Sequence, residues 1–286
     1  MIDLLTHDFA RILLIKPSAL GDVVHTLPVL AKLRARYPEA RIDWLITPEN
    51  ADLVRHHPAL SSVLLFRRGD YARFGRSWSA SLSPFRLLAA IRRGRYDLVI
   101  DLHGQFRSAL MTIASGAPVR IGFDRPGGQA AAARAERSGE IPGQHGWSGA
   151  REGAWLAYTH RIAIPTLDVH AVDRYLWLAP MLGLDDRPAE LGIHLPPVEI
   201  RRVEELLRSR GLGGKPIAVL VPGTIWETKH WHVEGFAEVG RHLVARGLSV
   251  VIAGTSRDLV RSRAIVEACP GAVDLCGETS VAGLVA

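Results

Sequence analysis

The sequence has no run of 18 apolar residues, the length a helix needs to cross a bilayer, so no transmembrane helix is expected. Its 286 residues include two cysteines, Cys269 and Cys276, too few for a disulfide framework and without the neighbours of a metal site. A reducing cytoplasm fits. The N-terminus carries Asp3 and Asp8 instead of a basic leader, so it does not read as a secretory signal. Three fingerprints are also missing. Without G-x-G-x-x-G after the first strand there is no mark of a nicotinamide dehydrogenase. Without G-x-x-x-x-G-K-[ST] an ATP-hydrolysing P-loop is not expected, and without G-x-S-x-G neither is an α/β-hydrolase. His56-His57 and His230-x-His232 lack carboxylate or cysteine partners at ligand spacing, so no metal is expected.

Acids are scarce between residues 67 and 107. Nine arginines (67, 68, 73, 76, 86, 92, 93, 95 and 107) face only Asp70, Asp97 and Asp101, an excess equal to the chain's whole net charge of +6. One reading is a solvated basic face. The other is a surface for a polyanion: nucleic acid, phospholipid headgroups or a phosphorylated substrate.

The hydrophobic pattern is that of a two-domain α/β protein. Strands are predicted at 11–15, 42–46, 63–66, 98–102 and 119–122, with helices at 22–36, 51–56, 84–93 and 106–115 between them. Such alternation implies a parallel sheet with helices on both faces. Residues 126–150 are rich in Gly, Ala and Arg and read as a surface excursion, with a helical turn at 130–137. A helix is predicted at 169–179, stopped by Pro180 and buried through Val169, Val172, Leu176 and Ala179, with His170-x-x-Asp173 in a structural role. The first lobe is assigned to 1–187, residues 188–197 to a connector and the second lobe to 198–286. The second lobe is expected to hold strands at 216–221, 249–253 and 273–275, and helices at 200–210, 233–245 and 259–268. A last helix, capped by Thr279 or Ser280, has hardly begun, which suggests a fragment.

Three strand-to-helix loops carry candidate chemistry, since ligands of open parallel sheets collect beyond the carboxyl ends of the strands. The first is Lys16-Pro17-Ser18-Ala19-Leu20-Gly21-Asp22-Val23-Val24-His25. Gly21 permits a tight backbone, Ser18 could cap the coming helix, and Asp22 is either a functional carboxylate or a helix-start residue favoured by the dipole. The second is Pro222-Gly223-Thr224-Ile225-Trp226-Glu227-Thr228-Lys229-His230-Trp231, which has the glycine, hydroxyls and cation of a phosphate cradle. Its alternative is a polar loop with Trp226 and Trp231 packed on the lobe. In the third, Ala253-Gly254-Thr255-Ser256-Arg257-Asp258, the acid could bind ribose hydroxyls or simply begin a helix.

Taken with Asp101-Leu-His-Gly-Gln-Phe-Arg-Ser-Ala109 and Arg151-Glu-Gly-Ala-Trp-Leu-Ala157, these segments resemble glycosyltransferase family 9. Its members are ADP-heptose:lipopolysaccharide heptosyltransferases, and the likeness is to the first inner-core enzyme more than the second. The resemblance implies a GT-B fold of two Rossmann-like lobes, an N-terminal one for the acceptor and a C-terminal one for the nucleotide sugar. It implies Asp22 as catalytic base and Gly223, Thr224, Lys229 and Asp258 as contacts of the nucleotide sugar. Ser18, Gly21, Arg67, Arg68, Arg107 and Arg120 would then serve an anionic Kdo–lipid A acceptor at the inner face of the cytoplasmic membrane. The implied donor is ADP-heptose, with no metal and no other cofactor, and a peripheral, monomeric protein is expected. Ile225 stands where a second hydroxyl would be expected. The family continues into a loop that closes over the diphosphate and that this sequence does not reach, so the chain as given is expected to hold ADP weakly. The competing readings are a GT-B transferase with another donor, an inactive remnant, and a basic nucleic-acid-binding module. The last lacks any recognised motif or stacking ladder.

Overall fold

The structure, a computed structural model, describes residues 2–72, 75–125, 127, 147, 149–187, 192–224 and 226–286. The chain divides into two compact units, residues 1–194 and 195–286. The turn expected at 130–137, Arg73 and Ile225 lie outside the described residues.

In the first unit six parallel strands are ordered β3-β2-β1-β4-β5-β6. They are β1 Arg11–Ile15, β2 Arg41–Ile46, β3 Ser62–Leu65, β4 Leu98–Asp101, β5 Val119–Phe123 and β6 His160–Ile162. The central strands are buried on both faces, which is why RILLI and LVID read as continuous apolar runs rather than alternating ones. The crossovers contain α1 (Leu20–Arg36), α2 (Pro48–Val54), α3 (Arg68–Ala72), α4 (Trp78–Arg93) and α5 (Phe106–Ser115). One core layer packs Ile91 and Met111, from α4 and α5, against Leu13, Leu45 and Val99 of the sheet.

Expectation and structure part in four places. α4 starts at Trp78, so Pro84 lies inside the helix instead of opening it; Ser81 Oγ ties the first turn to the Ser77 carbonyl at 2.8 Å. The single helix expected at 169–179 is two, α6 (Ala171–Leu176) and α7 (Ala179–Leu182). Pro180 sits in the first turn of α7, where its missing N–H has no partner to lose, and so it starts a helix rather than stopping one. The side chains buried there are Tyr175, Leu178 and Leu182, not the predicted stripe, because the segment docks through Tyr175. Neither β6 nor α3, each at most five residues long, was predicted.

The second unit has a parallel sheet ordered β7-β8-β9: Ile217–Leu220, Ser249–Ile252 and Ala272–Asp274. Around it lie α8 (Pro197–Ser209), α9 (Val233–Ala245), α10 (Leu259–Ala268) and α11 (Val281–Val285). Its core joins Val250, Ile252, Ala237, Ile265 and Cys269. Ser280 caps α11, its Oγ accepting the Gly283 N–H at 3.0 Å.

Candidate active site

In the first unit the chain direction across the sheet reverses between β1 and β4, and the loops leaving these two strands share one crevice. Lys16, the first residue past β1, is almost fully buried. Its Nζ donates to the Leu102 carbonyl at 3.1 Å, lies 3.5 Å from Asp22 Oδ2 and sits 4.9 Å from the centre of the Tyr175 ring. Asp22, in the first turn of α1, accepts the Ala19 N–H on Oδ2 at 3.4 Å and the Tyr175 hydroxyl on Oδ1 at 2.9 Å. The carboxylate is thus both a helix-start group and the centre of a polar cluster. It also lines a depression of about 260 Å³ with Ser18, His103, Gln105 and Arg151.

Burial alone would raise the Asp22 pKa. The charge of Lys16, the Tyr175 hydroxyl and the Ala19 N–H outweigh it and hold the acid below the ordinary carboxylate value. Lys16 moves the other way: burial pulls its pKa down, opposed by Asp22 and Asp101. Tyr175 is pushed up, by burial first and then by Asp22, so its phenol stays protonated and keeps donating.

Asp101, at the end of β4, is fully buried and holds the floor of the crevice. Oδ1 accepts the His103 and Gly104 N–H groups at 2.9 and 3.1 Å, and Oδ2 accepts the Tyr158 hydroxyl at 2.8 Å. Gly122 lets the Tyr158 ring lie flat on β5, where any Cβ would collide with it. Burial lowers the pKa of His103 and favours the neutral imidazole.

Ser18, Arg68 and Arg107 meet around a second depression of about 90 Å³, with His103 between it and the first. Arg67 is exposed and does not line it. Ser18 does not cap α1: the N-cap is Ala19, and the side chain that meets its N–H is that of Asp22. Gly21 has no positive φ and open space where a Cβ would stand, so the turn itself does not require glycine. Arg120 is turned away, its guanidinium donating to the carbonyls of Ala157 and Ala117. The arginine-rich stretch is not one surface. Arg92 donates to the Ser115 carbonyl and closes the C-terminus of α5, and Arg92, Arg93 and Arg95 line a separate depression.

Lys16 opens the first motif, but nothing in its spacing marks it as part of the site. Tyr175 and its neighbour Arg174, stacked 4.2 Å from the centre of the Trp147 ring, gave no local signal at all. Replacing Lys16 by Met should raise the Asp22 pKa by removing its strongest opposing charge. The acid limb of a kcat/KM–pH profile would then move to higher pH. A lysine that only fills space would lower the melting temperature and leave that limb in place.

In the second unit Gly223 and Thr224 follow β7, and Asp258 lies in the loop after β8. Asp258 Oδ2 accepts both the N–H and the hydroxyl of Thr255 at 2.8 Å, the helix-start arrangement. Its carboxylate lies where a Gly223 Cβ would need to be, 2.5 Å away, so Gly223 is what lets the two loops touch. The Thr224 N–H reaches His230 Nε2 at 3.3 Å, and its hydroxyl accepts the Trp226 N–H at 3.4 Å. Lys229 ends a short 3₁₀ turn, exposed and without an ion-pair partner among the described residues.

Two consecutive parallel α/β units with polar loops at their strand ends define a GT-B fold. Solved structures that share it include the glycosyl transferase family 9 protein of Veillonella parvula, with a TM-score of 0.78 at 21% identity, covering 99% of this chain and 72% of that one. E. coli heptosyltransferase WaaC, solved with ADP-2-deoxy-2-fluoro heptose, has a TM-score of 0.70 at 23% identity, covering 96% and 78%. The profile of glycosyltransferase family 9 (heptosyltransferase) matches residues 84–145 and 128–286, well over half the sequence, and the chain belongs to that family. Lipopolysaccharide heptosyltransferase 1 of Pseudomonas aeruginosa is 26% identical over 254 residues, which cover 84% of this chain and 59% of that protein. The Salmonella typhimurium protein of the same name is 26% identical over 261 residues, covering 90% and 73%. The chain therefore spans under two thirds of the length of the first of these relatives.

Proposed function

We propose that this protein is an inverting glycosyltransferase that moves heptose from ADP-heptose to the Kdo–lipid A inner core of lipopolysaccharide, with Asp22 as general base. The observation that carries the reading is a carboxylate at the switch point, braced by Lys16 and Tyr175 yet 35% exposed, in a chain of the heptosyltransferase family. In a single displacement the acceptor hydroxyl attacks the anomeric carbon as the bond to the diphosphate breaks, and its proton passes to Asp22. A carboxylate held below its ordinary pKa is a weak base. Proton transfer would therefore come late, once the attacking oxygen has gained positive character from bond formation.

Ser18 and Gly21 flank Asp22 in the first loop, Arg68 and Arg107 line the neighbouring depression, and together they would receive the phosphorylated acceptor, with Arg67 as an outer cation. Departing ADP would be met by the Lys229 ammonium, Thr224, and backbone N–H groups at Gly223, while Asp258 would face the ribose. Lys229 supplies the cation, so this reading needs no metal. The protein would work as a peripheral enzyme at the inner face of the cytoplasmic membrane. Titration with ADP, ADP-heptose and single-stranded DNA tests the assignment: the 286-residue chain is expected to bind ADP-heptose with low affinity and the DNA to show no saturable binding. Lys229→Met should weaken ADP by roughly ten- to a hundredfold, the worth of about one charge-assisted hydrogen bond, at unchanged melting temperature. An unaltered Kd would remove Lys229 from the nucleotide site.

A further inference from the structure

α5 is built inside out. Its buried positions are Ser108, Ala109, Met111, Thr112 and Ser115, mostly small or hydroxylated. Its exposed positions are Phe106, Arg107, Leu110 and Ile113. A surface helix normally does the opposite, and an exposed apolar patch is the informative departure. α5 packs between α4 and the 3₁₀ turn Ala154–Ala157, and each neighbour adds another exposed apolar side chain, Phe85 on α4 and Leu156 on the turn. Phe106 is 53% exposed, Ile113 56% and Leu156 76%, so exposed apolar side chains recur along α5 and on both elements packed against it rather than as one stray residue.

The two helices themselves carry charge of one sign. α4 and α5 contain no acidic residue, while Arg86, Arg93 and Arg107 are exposed on them. Of the acids beside them, Asp70 lies on α3 and Glu152 accepts the Phe106 N–H at 3.1 Å. Among the described residues no helix is long and apolar enough to cross a membrane. Apolar side chains rimmed by arginine on a non-spanning helix pair match a leaflet whose interior is hydrocarbon and whose surface is anionic. We propose that the outer face of α4, α5 and the 154–157 turn seats in an anionic lipid bilayer, with Phe85, Phe106, Leu110, Ile113 and Leu156 entering the headgroup boundary and Arg86 and Arg93 meeting lipid phosphates. The lipid-borne acceptor proposed above supplies the purpose of this face but not the argument for it, and vesicles without acceptor or donor keep the two ideas separable.

The test is co-sedimentation of the 286-residue chain with vesicles of phosphatidylcholine alone or mixed with phosphatidylglycerol. The wild type is expected to bind the mixed vesicles and to prefer them to the neutral ones. Phe106→Gln with Leu110→Gln and Ile113→Gln should weaken partitioning about tenfold or more, because these side chains carry the insertion. The melting temperature should hold or rise, since all three are exposed. Arg86→Gln with Arg93→Gln should weaken binding to the anionic vesicles only, and added salt should reproduce that loss. Failure of the wild type to bind, or undiminished binding by the triple variant, would overturn the proposal. So would a triple variant that melts several degrees lower, which means the rest of the chain covers this face. A wild-type dimer that the triple variant converts to monomer, with vesicle binding unchanged, would show the face to be a protein interface instead.

Discussion

Asp22→Asn is expected to lower glycosyl-transfer turnover roughly 10²–10⁴-fold, the usual range for losing a general base, while donor affinity stays within about a factor of two. The amide still accepts the Tyr175 hydroxyl on its oxygen. Its NH2 group, however, then faces the buried Lys16 ammonium 3.5 Å away, donor against donor. Lys16 keeps the Leu102 carbonyl but loses its nearest counter-charge, so a stability loss on the order of 1–2 kcal/mol is expected as well. That loss cannot account for the rate if the assay runs well below the melting transition. A variant that turns over near the wild-type rate would leave Asp22 as a helix-start residue and Lys16 partner only.

Asp101→Ala should be the most destabilising single change at the site, by about 3–5 kcal/mol measured as the shift in unfolding of the first unit. It strips the acceptor from three donors at once, the His103 and Gly104 N–H groups and the Tyr158 hydroxyl. It also removes one of two carboxylates that offset the buried charge of Lys16. Tyr158→Phe removes a single donor to a buried carboxylate and should cost less, about 1.5–3 kcal/mol. If the two variants lose the same stability, the carboxylate is not what organises the loop after β4.

Much of this arrangement was legible before any coordinates. Apolar strands buried on both faces left continuous runs, and α5, α9 and α10 fall at their predicted bounds because their spacing and flanking turns are unambiguous. The loops that carry Asp22 and Lys229 drew notice because ligands of parallel sheets gather beyond the strand ends, while the roles given to the two residues rest on the family resemblance. Other parts were not legible, for two physical reasons. Partners far apart in sequence leave no spacing to read: Tyr175 meets Asp22 across 153 residues, and Lys32 meets Asp185 across as many. Counts along the chain also ignore direction. The nine arginines looked like one surface until α4 carried Arg92 away to close α5 and the crossovers left Arg68 and Arg107 beside the crevice. The buried side of α5 carries Ser108, Thr112 and Ser115, hydroxyls that polarity alone would point outward.

The most direct test of the account is the stereochemistry of the transferred sugar. Nuclear magnetic resonance of the glycosidic product should show an anomeric centre inverted relative to ADP-heptose, with one ADP released per bond formed and none without acceptor. A retained configuration would contradict the account, because it requires two displacements or a front-side attack, and a single carboxylate acting as base on the acceptor hydroxyl provides for neither.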